Sequence, residues 1–121
     1  MNIEMIKLNK QAEIFKALSD KNRLRILKML QRKSLCVCEI TEILQLATST
    51  VSNHLSILKE AGLIIDEKDK KWINYKINPE PGNPEVASIL VSLHLLLEDD
   101  PMIKRDRELI NTVDREVLCS K

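Results

Sequence analysis

Aromatic residues are almost missing from this 121-residue chain; Phe15, Trp72 and Tyr75 are all it has. An interior without rings must be packed from Leu and Ile, which suits a mostly helical protein. No apolar run approaches the roughly 18 residues that a membrane span requires. The opening MNIEMIKLNK alternates charge with apolar character and does not read as a secretion signal. The expectation is a cytoplasmic protein with no membrane partner. Cysteine is scarce and odd in number, three residues in all, which argues against a disulfide framework and leaves metal binding, redox chemistry or burial as uses. Asn78-Pro79-Glu80-Pro81-Gly82-Asn83 is the only stretch rich in proline and glycine, and it marks the clearest boundary in the chain. There are no internal repeats and no low-complexity segments. An acid-base constellation is lacking too: His54 belongs to one helical pattern and His94 to another, so no enzyme is expected.

What is present is one domain's worth of chain, residues 1–121, with a single modest core. Its net charge of +1 hides a segregation. Lys16, Lys21, Arg23, Arg25, Lys28, Arg32 and Lys33 face one acid, Asp20, whereas residues 79–100 hold five acids and no Lys or Arg. Such a division could turn a basic face towards phosphates, and it equally suits a basic helix that is simply solvated.

The stretch from Ser34 to Leu63 carries the organisation. Val51, Leu55 and Leu58 lie at i, i+4 and i+7, one stripe of a helix that can face a core. Ser49, Ser52, Asn53 and Ser56 are then left outside. Thr48, Ser49 and Thr50 offer N-cap hydroxyls, and Gly62 can take the left-handed conformation that ends a helix, which bounds it at about 49–61. A shorter helix over 39–44 precedes it, with Ile40, Ile43 and Leu44 inward, and Gln45-Leu46-Ala47 is the turn between them. This is helix-turn-helix spacing over 36–62, and its second helix presents small hydrogen-bonding side chains fit for a major groove. After Gly62 the period changes to two: a strand over 63–66, a charged turn over 67–71, and a strand over 72–77 form a hairpin wing within 63–78.

Around this centre, residues 3–18 read as a first helix with Ile3, Ile6, Ile14, Phe15 and Leu18 on its apolar side. Residues 21–31 read as a second, burying Leu24, Leu27 and Met29 or Leu30, with Ile26 flanking and Arg23, Arg25 and Lys28 outward. Asn83-Pro84 opens a further helix that is apolar almost all round from Val86 to Leu97 and so needs partners on every side, most simply the same helix of a second subunit. Asp100-Pro101 opens a last amphipathic helix running to about Cys119. The fold class expected is mainly α with a β-hairpin, a winged helix-turn-helix made homodimeric by helices at both termini.

In step with these features, Leu46, Ser49, Val51, Ser52, His54, Leu55, Leu58, Ala61, Gly62 and Leu63 match the recognition-helix pattern of the arsenical-resistance repressor (ArsR/SmtB) family, which the chain resembles. FKALSDKNRLRIL, from Phe15 to Leu27, is similar to that family's second signature, and Leu35-Cys36-Val37-Cys38-Glu39 to its thiolate box. The resemblance is strong over about 12–78. It implies a repressor that binds double-stranded operator DNA, an inverted repeat, as a dimer. The DNA contacts expected are Thr48, Ser49, Thr50, Ser52, Asn53, His54 and Ser56 on the helix and Lys71 at the wing tip. The family usually places Gly-Arg at that tip; here Lys70-Lys71 stands there, without the glycine.

Cys36 and Cys38 are two apart. In a helix they would diverge by about 200°, whereas on extended chain i and i+2 face one side. A helix beginning at Glu39 would place Cys38 at the N-cap and Cys36 on extended backbone, with sulfurs converging and the thiol pKa lowered. Thiolates select soft ions. By itself the pair is a weak signal for a metal, since small cysteines are often buried as hydrophobes. Within the box that the resemblance supplies, it implies a metal or metalloid site. The family's cadmium and lead sites draw on cysteines of a long N-terminal arm, absent before Cys36, and its zinc sites on Asp and His of the dimer helix, where this chain has only His94. That leaves a low-coordination site for As(III) or Sb(III) as inducer, with no permanently bound cofactor. The most similar arsenic repressors add a cysteine three residues on, where this chain has Thr41; Cys119 is the candidate third thiolate. The alternatives are a redox or reactive-sulfur sensor, or a Cd, Pb or Zn sensor of the same family.

Overall fold

The computed structural model describes residues 3–118 and the side chains of 6–118. Seven helices and three strands follow in the order α1 (Ile3–Leu18), α2 (Lys21–Leu30), β1 (Leu35–Cys36), α3 (Val37–Leu44), α4 (Thr48–Glu60), β2 (Ile64–Asp69), β3 (Trp72–Ile77), α5 (Pro84–Leu93), α6 (Pro101–Ile110) and α7 (Arg115–Leu118). The expected class is borne out: a mostly helical domain with an antiparallel hairpin. One addition comes from the cysteine segment, since β1 joins the hairpin as a third strand, in the order β1-β3-β2.

Local chemistry accounts for most boundaries. Asp20 caps α2 by accepting from the N–H groups of Asn22 and Arg23 at 2.8 and 3.1 Å. Asn83 and Asp100 cap α5 and α6 in the same way, each with proline at the first helical position. Gly62 ends the turn after α4 at φ +84°, a conformation that a side chain would strain. Gln45 ends α3 at φ +56°.

The core is aliphatic. Ile26, Leu27, Met29, Leu35, Ile40, Val51, Leu55, Leu58 and Leu63 are wholly buried, and α4 contributes the stripe read from its spacing. Each such side chain stabilises the fold by about 1.5–3 kcal/mol relative to exposure. On α2, Ile26 takes a central place and Leu24 only a peripheral one, the reverse of the order expected.

Three basic side chains of α2 expected outside turn inward. Arg25 lies beside the buried Asp106 of α6, with both carboxylate oxygens accepting at 2.9 Å. This bidentate hydrogen bonding also raises the Arg25 pKa. Lys28 is buried, donates to the backbone oxygen of Leu93, and pairs with Glu98 at 3.1 Å. It thereby satisfies a carbonyl at the end of α5, which stops at Leu93, four residues before the apolar run does. Arg23 donates to the Ala17 oxygen at 2.7 Å and to His54 Nδ1 at 3.1 Å. The last helix is likewise divided: α6 ends at Ile110, residues 111–114 turn, and α7 begins at Arg115.

Candidate nucleic-acid interface and thiol site

The helix-turn-helix is α3 and α4, which pack together across the Gln45–Ala47 turn. Thr48, Ser49, Thr50, Ser52, Asn53 and Ser56 are all exposed on α4. Their roles at the helix start differ from expectation: Ala47 is the N-cap, no side chain caps the helix, and the three hydroxyls lie in its first turn. The backbone N–H groups of that turn are therefore open to an outside acceptor such as a phosphate.

His54 must be corrected. It is 8% exposed and sits on the inner side of α4, where its Nδ1 accepts from Arg23. A guanidinium has no acceptor of its own, so the direction of that bond is set. His54 ties α4 to α2 and does not belong with the outward residues. Position 54 lies three residues after Val51, which turns it towards the same buried stripe.

The wing extends further than its charged sequence suggested. Residues 67–69 continue β2, Asp69 pairs with Trp72, and only Lys70-Lys71 forms the turn. Lys70 takes φ +58°, doing without the glycine that this position favours. Lys71 is exposed at the tip with Nζ 4.8 Å from the centre of the Trp72 ring. Trp72 also receives Arg115, whose guanidinium carbon lies 4.4 Å from the ring centre. Arg115 further donates to Asp69 at 2.7 Å and Asn74 at 2.9 Å. Sequence reasoning passed over Arg115, because nothing local ties position 115 to a hairpin some forty residues earlier.

At the cysteines the helix begins two residues sooner than expected. Cys36, on extended backbone, is the N-cap, and Cys38 lies inside the first turn of α3. The segment is held by a capping box: Glu39 accepts from the Cys36 N–H at 3.0 Å, and the Cys36 sulfur receives the N–H of Glu39. Cys36 is buried, and that burial pushes its thiol pKa up, the reverse of the lowering expected at a helix start. Desolvation outweighs the amide dipoles. Cys38 is half-buried and disulfide-bonded, and Cys36 is not the other half of that bond. Cys119 lies outside the described residues. Among the described residues no three His, Cys, Asp or Glu side chains are grouped to hold an ion. Thr41 buries its hydroxyl oxygen with no hydrogen-bond partner among the described residues. His94 is exposed after α5.

A helix-turn-helix followed directly by a two-stranded wing defines the winged-helix class of DNA-binding transcription regulators. Residues 20–66 match the family model described as "Bacterial regulatory protein, arsR family". The chain belongs to the ArsR family of transcriptional regulators. It is 43% identical over 77 residues to the arsenical resistance operon repressor of Bacillus subtilis, covering 63% of this chain and 73% of that protein. It is 40% identical over 68 residues to the arsenic resistance transcriptional regulator ArsR1 of Pseudomonas putida, covering 55% of this chain. The match spans about half, 53%, of that relative's length. Among solved structures it is similar to reduced HlyU from Vibrio cholerae, with TM-score 0.59 and 33% identity over 77% of this chain and 95% of that one. No helix among the described residues is long and apolar enough to cross a membrane.

Proposed function

We propose that the chain is a dimeric transcriptional repressor that leaves its operator when As(III) or Sb(III) is bound by Cys36 and Cys38. The observation that carries this reading is the position of the two cysteines. Both lie at the start of α3, and α3 packs on α4. Drawing two sulfurs around one centre must move Cys38 out of its place in the first helical turn, and α4 rests on the helix so disturbed. The names of the Bacillus and Pseudomonas relatives support the choice of arsenic.

The donor set fits a soft ion of low coordination number in its chemistry, with two conditions. Cys36 gives up a proton held tightly by burial, and the Cys38 disulfide is reduced first. Cys119 is proposed as the third sulfur. Operator recognition falls to Thr48, Ser49, Thr50, Ser52, Asn53 and Ser56, with Lys71 at a phosphate. In a dimer the two α4 helices would meet successive major grooves of an inverted repeat, about 34 Å apart. Exposed Leu8 and Phe15 on α1, Val91 near the end of α5, and Leu95 and Leu96 just beyond it are the apolar surface offered to the second subunit. Reversing operator occupancy from nearly full to nearly empty takes about 5.5 kcal/mol of preference for the unbound state, which thiolate ligation can supply.

A gel-shift titration on DNA upstream of its own gene, with reduced protein and added arsenite, antimonite, cadmium or zinc, tests this. Cys36→Ser and Cys38→Ser should each bind DNA as the parent does and fail to release it with arsenite. Normal release by the double variant would refute the assignment.

A second reading is favoured by the disulfide at Cys38: oxidation joining Cys38 to Cys119 would be the signal itself. Release by peroxide in metal-free buffer, reversed by dithiothreitol and absent in Cys38→Ser, would select it over arsenic sensing.

A further inference from the structure

The guanidinium of Arg115 stands between the wing and the cysteines. On the wing side it donates Nη2 to Asp69 and Nη1 to Asn74, and it lies over Trp72. Asp69 and Trp72 are the pair that closes the hairpin, so these partners gather at its tip. On the cysteine side, Asn74 is the register partner of Cys36 across β1 and β3. Glu39, which accepts from the Cys36 N–H, lines the same cleft as Asp69, Asn74 and Arg115. The helix that carries Arg115 packs on α3.

We propose that Arg115 is a positioning residue that transmits the state of the thiol site to the wing. While the start of α3 keeps its capping box, Arg115 fixes the hairpin tip and holds Lys71 where a phosphate would be met. When Cys36 and Cys38 are drawn together, α3 gives way at its first turn, α7 shifts with it, and the guanidinium lets go of Asp69 and Asn74. The physical basis is geometric. A forked, stacked arginine holds its partners only over a narrow range of positions, and an ion pair this exposed is marginal in water. A small displacement of α7 therefore suffices to open it. This inference rests on the thiol-sensing reading above and adds the route by which the wing takes part.

Trp72 is the single tryptophan of the chain, so its fluorescence reads the clamp directly. Reduced full-length protein and Arg115→Ala are compared for emission maximum and acrylamide quenching, with and without arsenite, while sulfur-to-arsenic charge-transfer absorption is followed in the same samples. Removing the stacked cation should shift emission to the red and raise the quenching constant at least about twofold. Arsenite should carry the parent protein to the same values and leave Arg115→Ala unchanged. Arg115→Lys, which keeps the charge and loses the fork, should resemble the alanine variant. Identical quenching of parent and Arg115→Ala overturns the clamp. Growth of the absorption band with no change at Trp72 overturns the coupling alone. No band in the parent overturns the thiol-sensing reading, and the coupling with it.

Discussion

At the scale of single residues, two cysteines two positions apart differ in chemistry: Cys38 is disulfide-bonded, and Cys36 keeps a buried thiol. Cys36 is enclosed by the aliphatic core, and its pKa is raised because the thiolate would be poorly hydrated there. The sign has two consequences. The folded state favours the protonated thiol, so the stability linked to the Cys36 proton is fully present below the ordinary thiol pKa and is lost as pH rises beyond it through the raised folded value. Reactivity should follow the same order. In a Cys38→Ser/Cys119→Ser background, the rate of Cys36 alkylation by iodoacetamide should rise with a midpoint above that of the urea-unfolded chain. A midpoint below the unfolded value would mean that the amides at the start of α3 win over burial.

Arg23, Arg25 and Lys28 make the complementary point. Read along the sequence they are a basic run, yet each is taken up by an internal acceptor: the Ala17 oxygen and His54, Asp106, and the Leu93 oxygen with Glu98. Charge density in sequence says nothing about whether an acceptor will be brought to it from a distant element. The part of the basic segment that stays exposed is Lys16, Lys21, Arg32 and Lys33.

At the scale of elements, α4 was legible because its information is periodic. The Val51, Leu55 and Leu58 stripe names its buried side, and Gly62 names its end. What remained ambiguous was the margin of the stripe, where His54 sits. A histidine there can face either way until a partner is found, and Arg23 is that partner. The two sides of α4 should therefore separate in mutation. Asn53→Ala, on the exposed side, should cost about 1–3 kcal/mol of operator binding with an unchanged thermal midpoint. His54→Ala should lower the thermal midpoint, since it breaks the tie between α4 and α2. Gel shift and a circular-dichroism melt on each variant check this, and a stability loss confined to Asn53→Ala would reverse the assignment.

The hairpin follows a similar logic. Alternation and charge announced two strands, but the length of the first was hidden because Glu67, Lys68 and Asp69 look like a turn. Backbone pairing with β3, together with the Arg115 bond to Asp69, keeps that charged segment extended to its last residue.

At the scale of the whole molecule, the aliphatic core closes within one chain over α2, α3, α4 and the sheet, while α1 and the stretch that follows α5 keep apolar side chains on the outside. Leu95 is 83% exposed, and Leu8 70%. A second copy of the chain would account for both. Leu95→Glu should therefore convert a dimer to a monomer in light scattering and weaken operator binding by about a hundredfold or more, because each half-site then binds alone. A variant that remains dimeric would remove this surface from the interface.

Sequence alone determined the elements whose signals are short-ranged: the α4 stripe, the Asn83-Pro84 and Asp100-Pro101 starts, the glycine stop at position 62, and the two strands of the wing. Local sterics and hydrogen bonding within a few residues decide these, so they can be read along the chain. Only the tertiary structure decided which charges are surface and which are ties, where α5 stops, how Cys36 titrates, and that Arg115 reaches the wing. Each of those depends on a partner tens of residues away, and the energy of burying or pairing a polar group exists only once that partner is in place.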